Sequence, residues 1–232
     1  MIQRLISAWT WMTLPVCLVV CAGCRADPAP HKGISAVAQE CGACHAPAAA
    51  TADPVIGPWL EPAVRLPGPI AAMFRRDAGD LVTWEDLGGQ PFVFTGIYTR
   101  CTNPTRCARM ARSLAAIATA IQARPGLKSA CYLATFNPAY DDNARIASFA
   151  ALQGLGIPIQ ATSLVPDAMS LELLADALSL RVQWDRGEVS AHASQVYMCD
   201  RQGRVARIYT SSQPPIEDVI TDLARLAEEP EK

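Results

Sequence analysis

The sequence predicts an α/β sandwich, a central sheet flanked by helices and entered through an N-terminal hairpin. Three observations predict it. Runs of β-branched and aromatic residues mark strands, apolar residues at spacings of three and four mark helices, and the two kinds of segment alternate from about Ala71 to the last helix. The chain has 232 residues, half of them hydrophobic, so it can bury one good core, and one main domain is expected.

The elements follow in order. "AMFRRDAGDLVTWEDLGGQ" alternates around a Gly-Asp turn and reads as a hairpin; "PFVFTGIY" after it reads as a buried strand. From Cys107 to Ala123, Met110, Leu114, Ile117 and Ile121 form the apolar stripe of an amphipathic helix, closed by "RPG". "SACYLATF" is the next strand. "DDNARIASFAALQG" is a helix capped by an Asp and closed by Gly154, and "LELLADALSL" another, before a short strand "RVQW". "SQVYMCDRQGRVARIY" is two strands around a Gln-Gly turn, and "PPIEDVITDLARLAEE" is a final amphipathic helix. This order is that of a thioredoxin-like sandwich occupying residues 70–232.

The N-terminus has a different texture. Arg4 precedes an apolar run from Leu5 to Val20 that leads through "CAGC" to Cys24, the pattern of a cleaved export signal over residues 1–23. The run is short for a retained membrane span, with a signal anchor as the alternative. With Ala22 and Gly23 before Cys24, it resembles a bacterial lipoprotein signal, which implies lipidation of Cys24 and a membrane anchor; an ordinary signal peptide is the other reading. Either places the mature protein outside the cytoplasm, in the bacterial periplasm or on the outer face of the cytoplasmic membrane. Residues 24–69, rich in Ala, Pro and Gly, read as a tether carrying one motif. The net charge of −2, with acids and bases interspersed, gives no basic face for nucleic acid.

Export changes how the nine cysteines are read, because an oxidising compartment turns idle thiol pairs into disulfides. Cys17, Cys21 and Cys24 belong to the signal. Cys131 and Cys199 fall inside hydrophobic strands and read as small core residues. Trp59, Trp84 and Trp184 read as packing residues, and Tyr98 as core or as a wall of the cysteine loop. Two pairs are left, Cys41 with Cys44 and Cys101 with Cys107.

Cys101 and Cys107 lie between the first buried strand and the next helix, where this fold carries redox or metal-binding thiols. The helix N-terminus, with Arg100 and Arg106 nearby, makes Cys107 the expected thiolate. Three chemistries compete. A thiol-disulfide reductase prefers Cys-x-x-Cys and a proline opposite, whereas here the spacing is longer and His192 precedes the strand "QVYMCD". A peroxidase would carry Thr and Pro at fixed positions ahead of its cysteine, but positions 98 and 94 are Tyr and Phe. Two thiolates and one imidazole suit copper, because sulfur holds Cu(I) and nitrogen also suits Cu(II), with His192 as the third ligand. A surface histidine and a structural or redox Cys101–Cys107 disulfide are the bland alternatives.

The segments "GQPFVFTGIYTRCTNPTRC", "ATFNPAYDDNARIASFA" and "HASQVYMCDRQGRVARIY" resemble the three signature blocks of the Sco/SenC family, thioredoxin-fold proteins associated with assembly of the copper centre of cytochrome c oxidase. The resemblance covers residues 71 to 228. It implies copper bound by Cys101, Cys107 and His192, the histidine standing eight residues before Asp200 as the family's copper histidine does. Asn137 and Asp142 depart from the middle block, and five residues separate the two cysteines where the family commonly has three.

"CGACH" has the Cys-x-x-Cys-His form that attaches c-type haem, with Cys41 and Cys44 as thioether sites and His45 on the iron. "ISAVAQE" before it reads as a leading helix, and "IGPWL" after it resembles the Gly-Pro-x-Leu turn of cytochromes c, so that this resemblance covers residues 33 to 60. Such a segment is too short to wrap haem as a full cytochrome does. The sixth ligand is open, with Met73 better explained as core and His31 as a free candidate. A Cys41–Cys44 disulfide, or a second copper site using His45, is the alternative.

The expected function is therefore an exported copper-binding metallochaperone or electron-transfer protein of oxidase assembly, with haem c on its tether. Its partner would be a cytochrome c oxidase subunit or another periplasmic copper or redox protein. The rivals are a thiol-disulfide reductase working through Cys101 and Cys107, and a haem electron carrier whose thioredoxin-like part only docks.

Overall fold

The computed structural model describes residues 56–65, 70–77, 79–103 and 105–230. The stretch read as an export signal, Cys24, and the motif with Cys41, Cys44 and His45 lie outside the described residues. No helix among those described is long and apolar enough to cross a membrane.

The chain enters as a hairpin, β1 (Met73–Arg76) and β2 (Leu81–Thr83), followed by β3 (Phe92–Ile97), α1 (Cys107–Gln122), β4 (Ala130–Thr135) and α2 (Asn143–Leu152). Then come β5 (Thr162–Pro166), α3 (Ala168–Ala177), a second hairpin of β6 (Gln183–Asp185) and β7 (Glu188–Ala191), β8 (Val196–Cys199), β9 (Val205–Tyr209) and α4 (Ile216–Glu228). The described strands form one sheet in the order β2-β1-β5-β4-β3-β8-β9, with β6-β7 as a separate ribbon. β3, β4 and β5 run parallel, and β8 returns antiparallel beside β3.

Side chains alternate between the faces of a strand, and here the alternation sorts two cores. Val93 and Ile97 of β3, Cys131 and Leu133 of β4, and Val196 and Met198 of β8 face α1, α2 and α4, meeting Met110, Leu114, Ile146 and Leu223. Phe92 and Phe94, Ala134, and Tyr197 and Cys199 face the other way, onto Trp84 of the hairpin segment and Leu171 and Leu174 of α3. Asp142 and Asp167 cap α2 and α3 by accepting the Arg145 and Ser170 amides. Cys131 and Cys199 are buried in this sheet, and burial pushes the Cys131 thiol up to about 12 and Cys199 also upward, so both are inert core residues.

The structure departs from the sequence reading in several places. β5, a strand inside the sheet, was absent from that reading, and so was β7, the partner of the expected strand at 181–184. Trp184 is not a packing residue: it is 46% exposed, because its strand pairs only with β7 and never joins the sheet. Met73, read as core, is also exposed, while its chain neighbours Ala72 and Phe74 are buried.

A further finding concerns "IGPWL", read with the haem motif. Ile56 bridges to Tyr209, the Gly57 amide donates to the Ile208 carbonyl at 2.9 Å and the Leu60 amide to Ala206 at 2.8 Å, so the segment lies along β9. Gly57 is required there, since a Cβ would come within 2.8 Å of the Ile208 carbonyl oxygen. Three guanidiniums, of Arg65, Arg207 and Arg225, surround the Trp59 ring. Buried Arg65 then pairs with Asp200 at 2.9 Å and with Glu229. The described residues thus include part of the stretch read as tether, and that part is engaged by the sheet.

Candidate thiol and metal site

The site forms where β3 ends and α1 begins. Residues 98–106 connect them, and Cys107 is the first residue of α1. The start of the connection is anchored by Asp141, a carboxylate only 2% exposed. It accepts the Thr99 amide at 3.1 Å and the Thr99 hydroxyl, and also the Thr135 hydroxyl at 2.5 Å. The loop is thereby tied to the end of β4. At its other end the Thr105 carbonyl accepts the Ser212 hydroxyl at 3.2 Å.

His192 arrives from the opposite side, just past β7. The Ala193 amide donates to the Leu180 carbonyl and the Thr95 hydroxyl donates to the Gln195 carbonyl, both at 2.8 Å, which fixes the backbone on which the imidazole stands. Its ring packs against Phe136, 4.8 Å between centroids, and takes Tyr98 edge-on at 5.8 Å. His192 Nδ1 lies 2.8 Å from the Ala193 carbonyl and donates its proton there, leaving Nε2 with a free lone pair. That Nε2 is 3.5 Å from Cys107 Sγ. Burial lowers the His192 pKa, so the ring is held neutral, as a metal ligand must be.

The two thiols divide their roles in the reverse of the sequence expectation, which made Cys107 the thiolate. The Cys107 thiol donates to the Cys101 sulfur, which pulls Cys101 down to about 5. The same bond and burial push Cys107 well above the ordinary thiol range. Arg106 and the helix end favour a Cys107 thiolate, but the hydrogen bond to Cys101 and then the burial of Cys107, only 1% exposed, outweigh them. Cys101 is half-buried in the open part of the loop, and both cysteines are free thiols.

The structure therefore brings Cys101, Cys107 and His192, distant in sequence, to one place. Among the described residues no three His, Cys, Asp or Glu side chains form a ready-made metal cluster. The sequence reading missed Asp141 and Phe136 as supports of the site. Their block "ATFNPAYDD" was noticed, but only the fold shows that Phe136 backs the imidazole and Asp141 ties the loop.

A solved structure of a SCO1/SenC family lipoprotein from Bacillus anthracis aligns with a TM-score of 0.62 at 22% identity, covering 71% of this chain and 98% of that one. BsSco, described as a member of the Sco family of cytochrome c oxidase assembly proteins with a disulfide switch, aligns at 0.60 and 19% identity, covering 72% and 98%. Bradyrhizobium japonicum ScoI, solved with copper bound, aligns at 0.55 and 18% identity, covering 67% and 96%. At these identities the likeness is one of fold. No curated protein matches the chain. The family model described as SCO1/SenC matches residues 70–228, most of the chain and all of the sheet and helices that build the site, so the chain belongs to the SCO1/SenC family.

Proposed function

We propose that the protein binds copper through Cys101, Cys107 and His192 and exchanges it, or electrons, with an oxidase subunit or another copper protein during assembly of a respiratory copper centre. The observation that carries this is the 3.5 Å approach of Cys107 Sγ to a His192 Nε2 whose lone pair is free, beside a second, acidic thiol. Two soft sulfurs and one neutral imidazole suit Cu(I) and tolerate Cu(II). The copper-bound Bradyrhizobium ScoI and the oxidase-assembly description of BsSco support the cargo and the setting. The donors do not form a ready cluster, so gripping one ion takes an adjustment among them, with Cys101 already hydrogen-bonded to Cys107 and beside His192.

The export signal and Cys24 support work on the outer side of the cytoplasmic membrane under a lipid anchor. The "CGACH" motif supports haem c at Cys41, Cys44 and His45. With Gly57–Leu60 engaged by β9, the haem unit would be confined to residues before 56, which favours a small haem appendage over a cytochrome c domain.

A second reading has its own support. An acidic, half-exposed Cys101 above a protonated, buried Cys107 is the arrangement of an attacking and a resolving thiol. The Cys101 thiolate would attack a disulfide sulfur and expel the other sulfur as thiolate. Cys107, after losing its proton, would then displace the bound sulfur and close a Cys101–Cys107 disulfide.

His192→Ala separates the two readings. Copper function expects at least about a tenfold loss of copper affinity, since even outer partners of a metal ligand are worth that much, with thiol exchange retained. Unchanged copper affinity together with slower thiol exchange would favour the reductase.

A further inference from the structure

A cleft of about 950 Å³ opens between α3 and the β6–β7 ribbon, walled by Pro138, Pro166, Leu171, Ala175, Val182 and Trp184. That volume suits a few side chains of a bound segment, and its walls are mainly apolar. Trp184, at its mouth, leaves nearly half its surface in solvent, whereas Trp84 is fully buried. Exposed aromatic residues on an apolar surface are typical anchors of protein interfaces.

The charges lining the cleft have one sign. They are Asp167, Glu172 and Asp176. Asp167 is engaged in capping α3, its carboxylate 2.7 Å from the Ser170 amide. Glu172 and Asp176 stand four residues apart on the exposed side of α3, and among the described residues no cation pairs with either. An indole face beside unpaired carboxylates complements a Lys or Arg side chain carried on an apolar segment.

The cleft also touches both segments that hold His192. Trp184 and Gly187 belong to the ribbon that runs into His192, with Val182 just before it, and Pro138 follows two residues after Phe136, whose ring backs the imidazole. The described non-glycine residues at positive φ, Ser179, Arg181 and Arg186 at 49–52°, lie on the approach to this ribbon and in its turn. Backbone held in that region is characteristic of functional segments.

We propose that this cleft docks an apolar, lysine- or arginine-bearing segment of the protein that exchanges copper with the thiol site. The cargo in that statement rests on the copper reading; the docking chemistry rests on the cleft alone. Two fluorescently labelled probes test it on the reduced full chain: a Leu-Arg-Pro-Leu-Lys peptide amide and its Leu-Glu-Pro-Leu-Glu counterpart. The basic probe binds at least about tenfold more tightly than the acidic one, and less tightly as salt rises. Its affinity falls at least about fivefold in Trp184→Ala and in the Glu172→Gln/Asp176→Asn double variant. Equal binding of the two probes, no binding of the basic probe to the native chain, or indifference to all three substitutions overturns the proposal. A Trp184→p-benzoylphenylalanine variant that crosslinks to the basic probe supports it, whereas crosslinking to the chain's own residues 25–55 or to a second copy overturns it. Copper binding by the same variants is measured in parallel. Probe discrimination without copper binding supports the cleft and removes the copper reading; copper binding without discrimination removes the cleft alone.

Discussion

The ring of Phe136 lies so close over Gly96 that a Cβ at position 96 would stand 2.3 Å from its Cζ. The same ring packs on His192, so a missing side chain in β3 sets the wall behind the imidazole. Gly96→Ala must displace the ring or the strand, at a cost of about 1–3 kcal/mol. Urea unfolding should show that loss, and competition with a Cu(I) chelator should show weaker copper binding. Native values for both would mean that Phe136 has room to move.

Cys101 should react as a thiolate at unusually low pH. Alkylation needs the thiolate, whose population rises with pH through about 5, so the Cys101 rate should be level at pH 7 and fall below pH 5. Cys107 should stay unmodified over the same range. Cys107→Ala removes the thiol donor that lowers the Cys101 pKa and should move the profile toward that of an ordinary thiol. Mass spectrometry of alkylated peptides reads both sites; faster reaction at Cys107 would reverse the assignment.

Asp141→Ala removes the acceptor shared by the Thr99 amide and the Thr99 and Thr135 hydroxyls. Leaving buried donors without a partner should cost about 2–3 kcal/mol in denaturant unfolding. The cysteine loop should also exchange its amide hydrogens faster. A loss below about 0.5 kcal/mol, the size of a neutral surface change, would contradict the anchoring role.

Arg65→Ala should release the segment along β9. It removes the bonds to Leu60, Asp200 and Glu229, and Asp200 keeps Arg204 at 2.8 Å as a remaining partner. A cost of about 2–3 kcal/mol is expected, less than for a buried ion left wholly unpaired. The Gly57 and Leu60 amides, which donate to Ile208 and Ala206, should lose hydrogen-exchange protection before the central strands do.

What the sequence made legible follows from local pattern. The stripe at Met110, Leu114, Ile117 and Ile121 and the solid run at 92–97 reveal α1 and β3, because burial on one face or both leaves a period in the residues. β5 left no such mark: "TSLVP" is short, mixes Ser and Thr with apolar residues and ends in Pro166, which pairs antiparallel with β1 only across the fold. Cys101, Cys107 and His192 were singled out as candidate donors from residue type and family blocks, and the fold brings them together. The reversed acidity of the two thiols was not legible, because a helix-end position argues for a Cys107 thiolate while what opposes it, the hydrogen bond to Cys101 and then burial by α1 packing on the sheet, exists only in the fold. The engagement of Gly57 and Leu60 by β9 was not legible for the same reason, their partners Ile208 and Ala206 lying about 150 residues away, a separation over which no local pattern extends.

The most direct test of the proposed copper centre is X-ray absorption at the copper edge on the full chain loaded with one equivalent of copper, native and His192→Ala. The account expects two sulfur donors and one imidazole nitrogen in the native protein, and loss of the nitrogen in the variant. Identical spectra from the two proteins would contradict it.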